Sequence, residues 1–337
     1  MFGLFLYIMN KKVLVAFSGG VDSAVASLIL KEKGYDVKAA FMRITNSPLI
    51  EKGARDLSKK IGIPFSVFDF RKEFNDIIVK YFIDEYKKGL TPNPCVLCNK
   101  EVKFGLFLKE AMKMDFDFIA TGHYVSVKDG LIKQARDSHK DQSYFLWRLN
   151  KKQISKTIFP LGNYIKEEVR AIAKKKGIYS FVAPESQEVC FIKSANEEFL
   201  RKKIKNKKGN IVDREGNIIG IHDGIWLYTI GQRKGIGLSG GPYWVIDKNI
   251  KRNEIIVSKN EKELLSKEVL FKNANWIKPV RFPLRLKAKI RYGHKQAFGV
   301  LISNNRFVFD KPQKSITKGQ SIVFYDKKEV IGGGIIK

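Results

Sequence analysis

The chain has 337 residues, with 63 lysines and arginines against 34 acidic residues, and a formal net charge of +29 at pH 7. This length predicts two or three domains, and a hydrophobic fraction of 44% excludes a disordered or collagen-like chain. No apolar run reaches the roughly 18 residues that span a bilayer, which excludes an integral membrane protein. The positive excess predicts a polyanionic partner, for which nucleic acid and a membrane surface are the two candidates. Nucleic-acid binding is favoured over a codon bias towards lysine, which would not explain the shortage of acidic residues.

The first residues do not form a signal peptide. The apolar stretch 1–9 has no basic region before it and no small-residue cleavage site after it, and Met1 and Met9 remain alternative starts. We therefore expect a cytoplasmic protein that has no membrane partner. We also expect it to be a monomer. In a reducing compartment its three cysteines are better interpreted as reactive or metal-binding than as a disulfide scaffold.

Strand and helix patterns alternate through the first half of the chain. Apolar β-branched runs predict strands, and apolar residues at helical spacing predict helices between them. This alternation is typical of an α/β fold with a parallel sheet. The predicted strands are 13–17, 36–41, 65–69 and 117–121, and the predicted helices are 22–33, 51–61, 73–87, 100–113 and 166–176.

The second half has the pattern of small β domains. Short strands with turn signals every 8–12 residues predict barrels, with a helical seam at 260–270. We expect an α/β catalytic domain at 1–195, a central small β domain at 196–265 and a C-terminal β-barrel at 266–337 that binds the polyanion. The predicted strands are 225–230, 243–247, 254–258, 286–291, 297–302, 306–309 and 321–325.

A glycine loop, SGGVDS at 18–23, lies between the first predicted strand and the first predicted helix. Glycines let the backbone approach an anion closely, and the amides at the start of the helix are free to bind a phosphate. Asp22 could cap the helix or hold magnesium near the phosphates. The loop lacks the Gly-Lys-Ser/Thr ending of a Walker A motif and the GxGxxG spacing of a dinucleotide loop.

The cysteines form a second motif. Cys95 and Cys98 are spaced C-x-x-C just before the predicted basic helix, and Cys190 lies in PESQEVCFI. A helix N-terminus and nearby lysines favour a thiolate, which predicts a low pKa for Cys98. The residues alone leave four interpretations open: a zinc site, buried inert cysteines, two-thiol sulfur chemistry, and an iron–sulfur cluster held by three cysteines.

Taken in order, the motifs resemble the tRNA-specific 2-thiouridylase family of pyrophosphate-loop proteins over nearly the whole chain. The segments that carry the resemblance are SGGVDS, FMR (41–43), TPNPCVLCNKEVKF, ATGHY (120–124), KDQSYFLW (140–147), FPLG (159–162), SQEVCFI, YTIGQRKGIG (228–237) and GGPYWV (240–245). The resemblance implies an ATP-dependent tRNA-uridine 2-sulfurtransferase. It adenylates the C2 oxygen of the wobble uridine, position 34, and replaces that oxygen with sulfur.

The resemblance also implies roles for individual residues. Cys98 corresponds to the nucleophile that delivers sulfur, and Cys190 to the thiol that first accepts a persulfide, after which the two can close a disulfide. ATP and magnesium are the implied cofactors, and tRNAs for Lys, Glu and Gln are the implied substrates, with a cysteine desulfurase or relay protein as sulfur donor. The implied ATP-binding residues are Ala16, Phe17, Ser18, Gly19, Gly20, Val21, Asp22, Ser23, Met42 and Gly122. The implied tRNA-binding residues are Asn93, Pro94, Cys95, His123, Lys140, Asp141, Gln142, Arg291, Tyr292 and Gln320.

Some of these contact residues have alternative roles. His123 could close a turn at a strand end, Asp141 and Gln142 could cap a loop, and the Arg291–Tyr292 pair could be an exposed strand face. Two other functions stay open for the whole chain. They are a different pyrophosphate-loop ligase without tRNA dependence, and an RNA-binding module with a relict loop.

One departure from the family pattern concerns Cys95. Members of the family commonly carry Asp at this position, and a thiol cannot replace a carboxylate of pKa near 4 in acid–base chemistry. With Cys98 and Cys190 it instead offers three sulfurs, enough to hold a 4Fe–4S cluster whose fourth iron would bind sulfide. The two mechanisms to be tested are therefore a persulfide relay and cluster-bound sulfide.

Overall fold

The computed structural model describes residues 10–178, 190–192 and 196–337. The chain divides into two compact units. Among the described residues, the first contains those up to 78 and those within 95–191 and 328–330, and the second contains those within 79–94, 192–327 and 331–337. In the described ranges, no helix combines the length and the apolar character needed to cross a membrane.

A five-stranded parallel sheet forms the core of the first unit, as the alternating pattern predicts. Its strand order is β3-β2-β1-β4-β7, so the first strand of the chain is central and the order reverses beside it. Strands that are buried on both faces read as continuous apolar runs, which is the pattern of Val13–Val15. The strands are β1 Lys12–Ala16, β2 Asp36–Arg43, β3 Phe65–Asp69, β4 Phe118–Ala120 and β7 Thr157–Ile158, with the hairpin β5 Val125–Lys128 and β6 Leu131–Gln134 outside the sheet.

Helices connect and cover these strands. Helix α1, Val21–Glu32, is buried from Val21 to Leu30 except at Asp22, because apolar or small residues occupy all of its faces. The later helices are α2 Pro48–Lys60, α3 Arg71–Phe74, α4 Lys80–Lys87, α5 Pro94–Cys98, α6 Phe107–Lys113, α7 Lys151–Ser155, α8 Lys166–Lys175 and α9 Asn196–Arg201.

Two helical stretches contain π-helical turns. Asn75–Val79 joins α3 to α4, and Asn99–Leu106 joins α5 to α6. The predicted helix 100–113 therefore begins at Pro94, since proline is favourable at the first position of a helix. Cys95 and Cys98 therefore lie inside the helix. The sequence had predicted that they precede it.

The second unit contains two β-structures. A four-stranded sheet has the order β10-β11-β8-β9, and six further strands close into a barrel through the pairing of its first and last strands, Phe271 with Ile336. The strands of the sheet are β8 Gly209–Val212, β9 Ile218–His222, β10 Trp244–Asn249 and β11 Glu254–Ser258. Those of the barrel are β12 Leu265–Trp276, β13 Leu284–Lys289, β14 Ala297–Ser303, β15 Arg306–Lys314, β16 Ser321–Asp326 and β17 Glu329–Ile336.

Two predicted elements were wrong in this half. The strand predicted at 225–230 is a 3₁₀ turn, Ile225–Leu227. The helix predicted at 260–270 is a 3₁₀ turn, Glu261–Leu264, followed directly by the 12-residue strand β12. That strand pairs with β15 in its first half and with β17 in its second, so tertiary pairing overrides its local helical preference.

Candidate active site

The glycine loop follows the carboxyl end of the central strand and leads directly into α1, as predicted. Gly19 has a φ of +80°, and a Cβ there would lie 3.1 Å from the Cα and Cβ of Ala54. Only glycine fits this position without strain. The loop therefore runs flat against α2, with the first amides of α1 at its end, which suits the binding of phosphate oxygens.

Side-chain hydroxyls make the loop compact. The Ser23 hydroxyl donates to the carbonyl of Gly20 at 3.0 Å and lies 3.3 Å from the hydroxyl of Ser18. The amide of Gly20 is 3.4 Å from Ser18 Oγ. Gly20 occupies the N-cap position with no side-chain cap bond, so the proposed capping role of Asp22 is wrong.

The remaining expected ATP residues surround this loop. Ala16 ends β1, Phe17 is buried and bonded through its amide to Ala40 at 2.8 Å, and Val21 begins α1. Met42 lies near the end of the neighbouring strand β2. Ligands of such sheets bind at the carboxyl ends of the strands where the order reverses, and these residues lie at that edge.

Gly122 is packed against the start of α1. It follows β4, and a Cβ at this position would lie 2.9 Å from the carbonyl carbon of Asp22 and the amide nitrogen of Ser23. Backbone atoms cannot yield to such a contact. The glycine thus lets the turn after β4 approach the glycine loop, and the structure brings these two segments together.

A buried lysine that sequence reasoning missed holds Asp22. Lys166 is 2% exposed, and its ammonium donates to both carboxylate oxygens of Asp22, at 2.7 and 2.9 Å. The Tyr124 hydroxyl donates to the same carboxylate at 2.8 Å. The partners are 144 residues apart, and the only sequence signal was the position of Lys166 at the start of a predicted helix.

The three cysteines differ in exposure. Cys98 is 7% exposed, Cys95 is half-buried, and Cys190 is exposed. All three are free thiols. Most of the segment SQEVCFI lies outside the described residues, and Cys190 itself lies in a turn next to Phe191, whose ring contacts Phe74.

The electrostatic environment links these thiols to one another. Burial raises the pKa of Cys98 to about 12, and it also raises the pKa of Cys95. Desolvation raises the pKa of the Cys190 thiol as well, although the residue is exposed. The charge of Lys103 opposes the shift at all three, and Cys190 interacts with both of the other cysteines. The low pKa predicted for Cys98 is therefore wrong, because burial outweighs the nearby cation.

The part of the chain that the structure describes contains no preformed group of metal ligands. In the described ranges, no three His, Cys, Asp or Glu side chains are grouped so that they could hold a metal ion. Cys95, Cys98 and Cys190 are thus not grouped as metal ligands within these ranges, and Asp22 is bonded to Lys166 and Tyr124.

His123 is buried where tRNA contact had been expected. Its Nδ1 lies 2.7 Å from the Thr121 hydroxyl, and its ring contacts Phe104 and Phe159. Burial, followed by the charge of Lys103, lowers its pKa well below the ordinary value. A neutral imidazole that closes the turn after β4 accounts for these contacts.

The residues 140–142 form a hydrogen-bonded loop. Asp141 is buried, and its carboxylate accepts from the Ser143 hydroxyl at 2.8 Å and the Ala135 amide at 3.0 Å. The Gln142 side chain accepts from the amide of Tyr124 at 3.0 Å, and the amide of Lys140 donates to Asp137 at 3.1 Å. These bonds fix the loop, which is the alternative role considered for Asp141 and Gln142.

The expected tRNA residues of the barrel belong to the second unit. Arg291 donates to the Thr317 hydroxyl at 2.7 Å, and Tyr292 lies beneath the Lys289 ammonium. The Gln320 amide donates to the carbonyls of Thr91 at 2.8 Å and Pro92 at 3.4 Å. Gln320 thus holds the backbone directly before Asn93 and Pro94.

Comparison with known proteins places the chain in a family. The model for the tRNA methyl transferase HUP domain matches residues 11–194, that for the tRNA methyl transferase PRC-barrel domain matches 197–259, and that for the aminomethyltransferase beta-barrel domain matches 266–336. The tRNA-specific 2-thiouridylase MnmA of Clostridioides difficile is 43% identical over 357 residues, covering 98% of this chain and 99% of that protein. The chain belongs to the tRNA-specific 2-thiouridylase family.

Other relatives support the same membership. The tRNA-specific 2-thiouridylase MnmA of Halothermothrix orenii is 43% identical over 354 residues, covering 97% of this chain and 99% of that protein. A solved complex of a 4-thiouridine synthetase with RNA and ATP has 17% identity and a TM-score of 0.38, covering 57% of this chain and 49% of that one, which is too low to bear on function. Membership of the 2-thiouridylase family confirms the resemblance carried by the motifs.

Proposed function

We propose that the chain is an ATP-dependent tRNA-uridine 2-sulfurtransferase that makes 2-thiouridine at the wobble position of tRNAs for Lys, Glu and Gln. The observation that carries the proposal is the presence, in one compact unit, of a phosphate-binding glycine loop and three electrostatically linked thiols. The net charge of +29 suits a tRNA substrate. A cysteine desulfurase or a relay protein supplies the sulfur, and the chain acts as a cytoplasmic monomer.

The first step is adenylation. ATP binds with its phosphates on the amides of residues 18–23, near Met42 and Gly122, and the C2 oxygen of the uridine attacks the α-phosphorus. Pyrophosphate leaves, and the oxygen becomes part of an AMP leaving group. When bound, magnesium would neutralise phosphate charge, and Asp22, whose carboxylate is paired with Lys166, is the residue at the loop that would hold it.

The second step delivers sulfur through a persulfide. Exposed Cys190 accepts the outer sulfur from the donor, and the Cys98 thiolate then attacks Cys190 Sγ. A Cys98–Cys190 disulfide forms and hydrosulfide leaves, so that two thiols are oxidised and the sulfane sulfur is reduced. The hydrosulfide attacks C2 and AMP departs. An external dithiol then reduces the disulfide for the next turnover.

Base access requires the uridine to leave its stack. We place Asn93, Pro94 and Cys95 beside the extruded base, and His123, Lys140, Asp141, Gln142, Arg291, Tyr292 and Gln320 along the tRNA. For the buried members of this set, His123 and Asp141, the contact with tRNA is made through the turns they hold in place.

The test is reconstituted thiolation with ATP, tRNA and a persulfide-loaded cysteine desulfurase. We expect one AMP and one 2-thiouridine for each turnover, and no product from Cys98→Ser or Cys190→Ser. Cys95→Asp, which restores the residue common in the family, should stay active. AMP formation that is independent of tRNA would instead indicate a different ligase, and tRNA binding without any AMP would indicate a binding module.

The third thiol favours one alternative, sulfide carried on a 4Fe–4S cluster held by Cys95, Cys98 and Cys190. Iron content and visible absorption of protein purified without oxygen discriminate the two routes. Four irons per chain, lost together with activity in Cys95→Ser, would support the cluster route and contradict the persulfide relay. Protein that is active without iron would support the persulfide relay.

A further inference from the structure

The motif YTIGQRKGIG at 228–237 has no role in the mechanism above, and the structure shows what it contacts. It begins with a turn that the Gln232 side chain closes, because its oxygen accepts from the amide of Thr229 at 3.0 Å. The turn is bonded to β10: the amide of Gly231 donates to the carbonyl of Val245 at 2.8 Å, and the amide of Val245 donates back to Gln232 at 2.9 Å. These bonds fix Thr229 beside the four-stranded sheet.

Thr229 contacts the segment 89–92, which follows α4 in the chain. Its hydroxyl lies 3.2 Å from the hydroxyl of Thr91. The first two amides of the segment bond back to carbonyls of α4, at 2.8 and 3.0 Å, but the amide of Thr91 donates to the carbonyl of Lys318 in the barrel at 3.0 Å. From Thr91 onward, the β-structures of the second unit hold the backbone in place of the preceding helix.

Lys248 of β10 holds the beginning of the same segment. Its ammonium donates to the carbonyl of Gly89 at 2.9 Å. Gly89 has a φ of +71°, and a Cβ there would overlap the side chain of Ile250, so this close approach requires glycine. Thr229 and Lys248 thus act on residues that lie 138 and 159 positions earlier in the chain.

Side chains of the sheet and the barrel together fix the backbone of this segment. The carbonyl of Gly89 accepts from Lys248, and those of Thr91 and Pro92 accept from Gln320. A segment without its own helix or strand depends on such bonds for a defined conformation. The next residues are Asn93 and Pro94, which are placed beside the target base.

We propose that Thr229 and Lys248 are positioning residues for thiolation: they hold the segment 89–92 in the conformation that presents Asn93 and Pro94 to the extruded uridine. The motif at 228–237 therefore acts through this segment and does not touch the base. The role in thiolation rests on the proposed function. The fixing of the segment does not, so the two can fail separately.

The experiment compares the single-turnover rate of thiolation with the affinity for tRNA, in the full chain with ATP and a persulfide donor. Thr229→Val removes a hydroxyl and keeps the shape of the side chain, and Lys248→Met removes the ammonium at similar length. Thr229→Ser restores the hydroxyl. Lys251→Met is the matched control, because Lys251 is an exposed lysine in the turn after β10. Hydrogen exchange of the Thr91 amide provides a readout that needs no tRNA.

We expect the single-turnover rate to fall about fivefold in Thr229→Val, the effect of one neutral hydrogen bond. It should fall at least about tenfold in Lys248→Met, since a displacement of about 1 Å can cost about 100-fold in rate. The Kd for tRNA should stay within about twofold, and the Thr91 amide should exchange faster by factors similar to the losses in rate. Thr229→Ser and Lys251→Met should match the parent in every readout.

Folded variants of Thr229 and Lys248 that keep the parent's single-turnover rate, or its exchange rate at Thr91, would overturn the proposal. A loss confined to the Kd for tRNA would also overturn it, because the two residues would then bind tRNA directly. If exchange at Thr91 rises in the variants but the parent chain thiolates no tRNA, the proposed function fails and the fixing of the segment stands.

Discussion

The pair between Lys166 and Asp22 gives the sharpest test of how the glycine loop is held. Replacing Lys166 by Met keeps an unbranched side chain of similar length and removes the ammonium. The Asp22 carboxylate then loses two of its three hydrogen bonds and keeps that from Tyr124 at 2.8 Å.

The expected cost follows from the burial of the two partners. Breaking a fully buried pair costs about 3–5 kcal/mol, whereas an exposed pair contributes about 1 kcal/mol or less. Lys166 is 2% exposed but Asp22 is 32% exposed, so water can partly replace the lost bonds. We therefore expect a loss of about 3 kcal/mol in Lys166→Met and a smaller loss in Asp22→Asn, with a coupling energy of about 2 kcal/mol in the double-mutant cycle.

The assay is native-state hydrogen exchange of the buried amides of β1, which reports the free energy of opening of the first unit alone. ATP affinity by calorimetry provides a second readout, and Lys176→Met is the control, because Lys176 forms an exposed pair with Glu32 at 2.7 Å. A Lys166→Met loss below about 1 kcal/mol, no greater than that of the control, would refute the reasoning.

Three further predictions concern other parts of the molecule. Gly122→Ala places a methyl group 2.9 Å from the backbone of Asp22 and Ser23, so ATP affinity should fall at least about tenfold. The affinity for tRNA, measured by filter binding, should be unchanged. An ATP affinity equal to that of the wild type would contradict this prediction. Burial lowers the pKa of Lys248 from 10.5 to about 8. Between these values the unfolded chain binds a proton that the folded chain lacks, so stability rises with pH. The Tm of the wild type, relative to that of Lys248→Met, should therefore rise between pH 8 and 10. Parallel curves of Tm against pH would contradict the lowered pKa of Lys248. Gln320→Leu should lower the single-turnover rate more than tRNA affinity, because the amide holds the carbonyls of Thr91 and Pro92, and a change in Kd alone would assign Gln320 to the tRNA.

Features encoded by local pattern were predictable from the sequence. The strand, the glycine loop and the helix that follows occupy 12–32 in the structure, close to the predicted 13–33, because each is specified by residues next to one another. The helix predicted after residue 260 was wrong because the residues that pair with β12 lie 36 to 65 positions downstream, and local propensity carries no information about them.

The electrostatics of the site could not be predicted in the same way. The low pKa expected for Cys98 assumed a helix that begins after the thiol, yet the helix begins at Pro94 and buries the sulfur. The Lys166–Asp22 pair joins segments 144 residues apart. In each case three-dimensional packing sets the charge environment.

The burial of α1 has a consequence for how the nucleotide binds. A helix enclosed on every face cannot fray or open locally without exposing the centre of the sheet, so its first amides are fixed before ATP arrives. Binding to such a preformed cradle costs little conformational entropy. Association with ATP should accordingly proceed in a single kinetic phase whose rate is linear in nucleotide concentration, with no slow isomerisation of the loop.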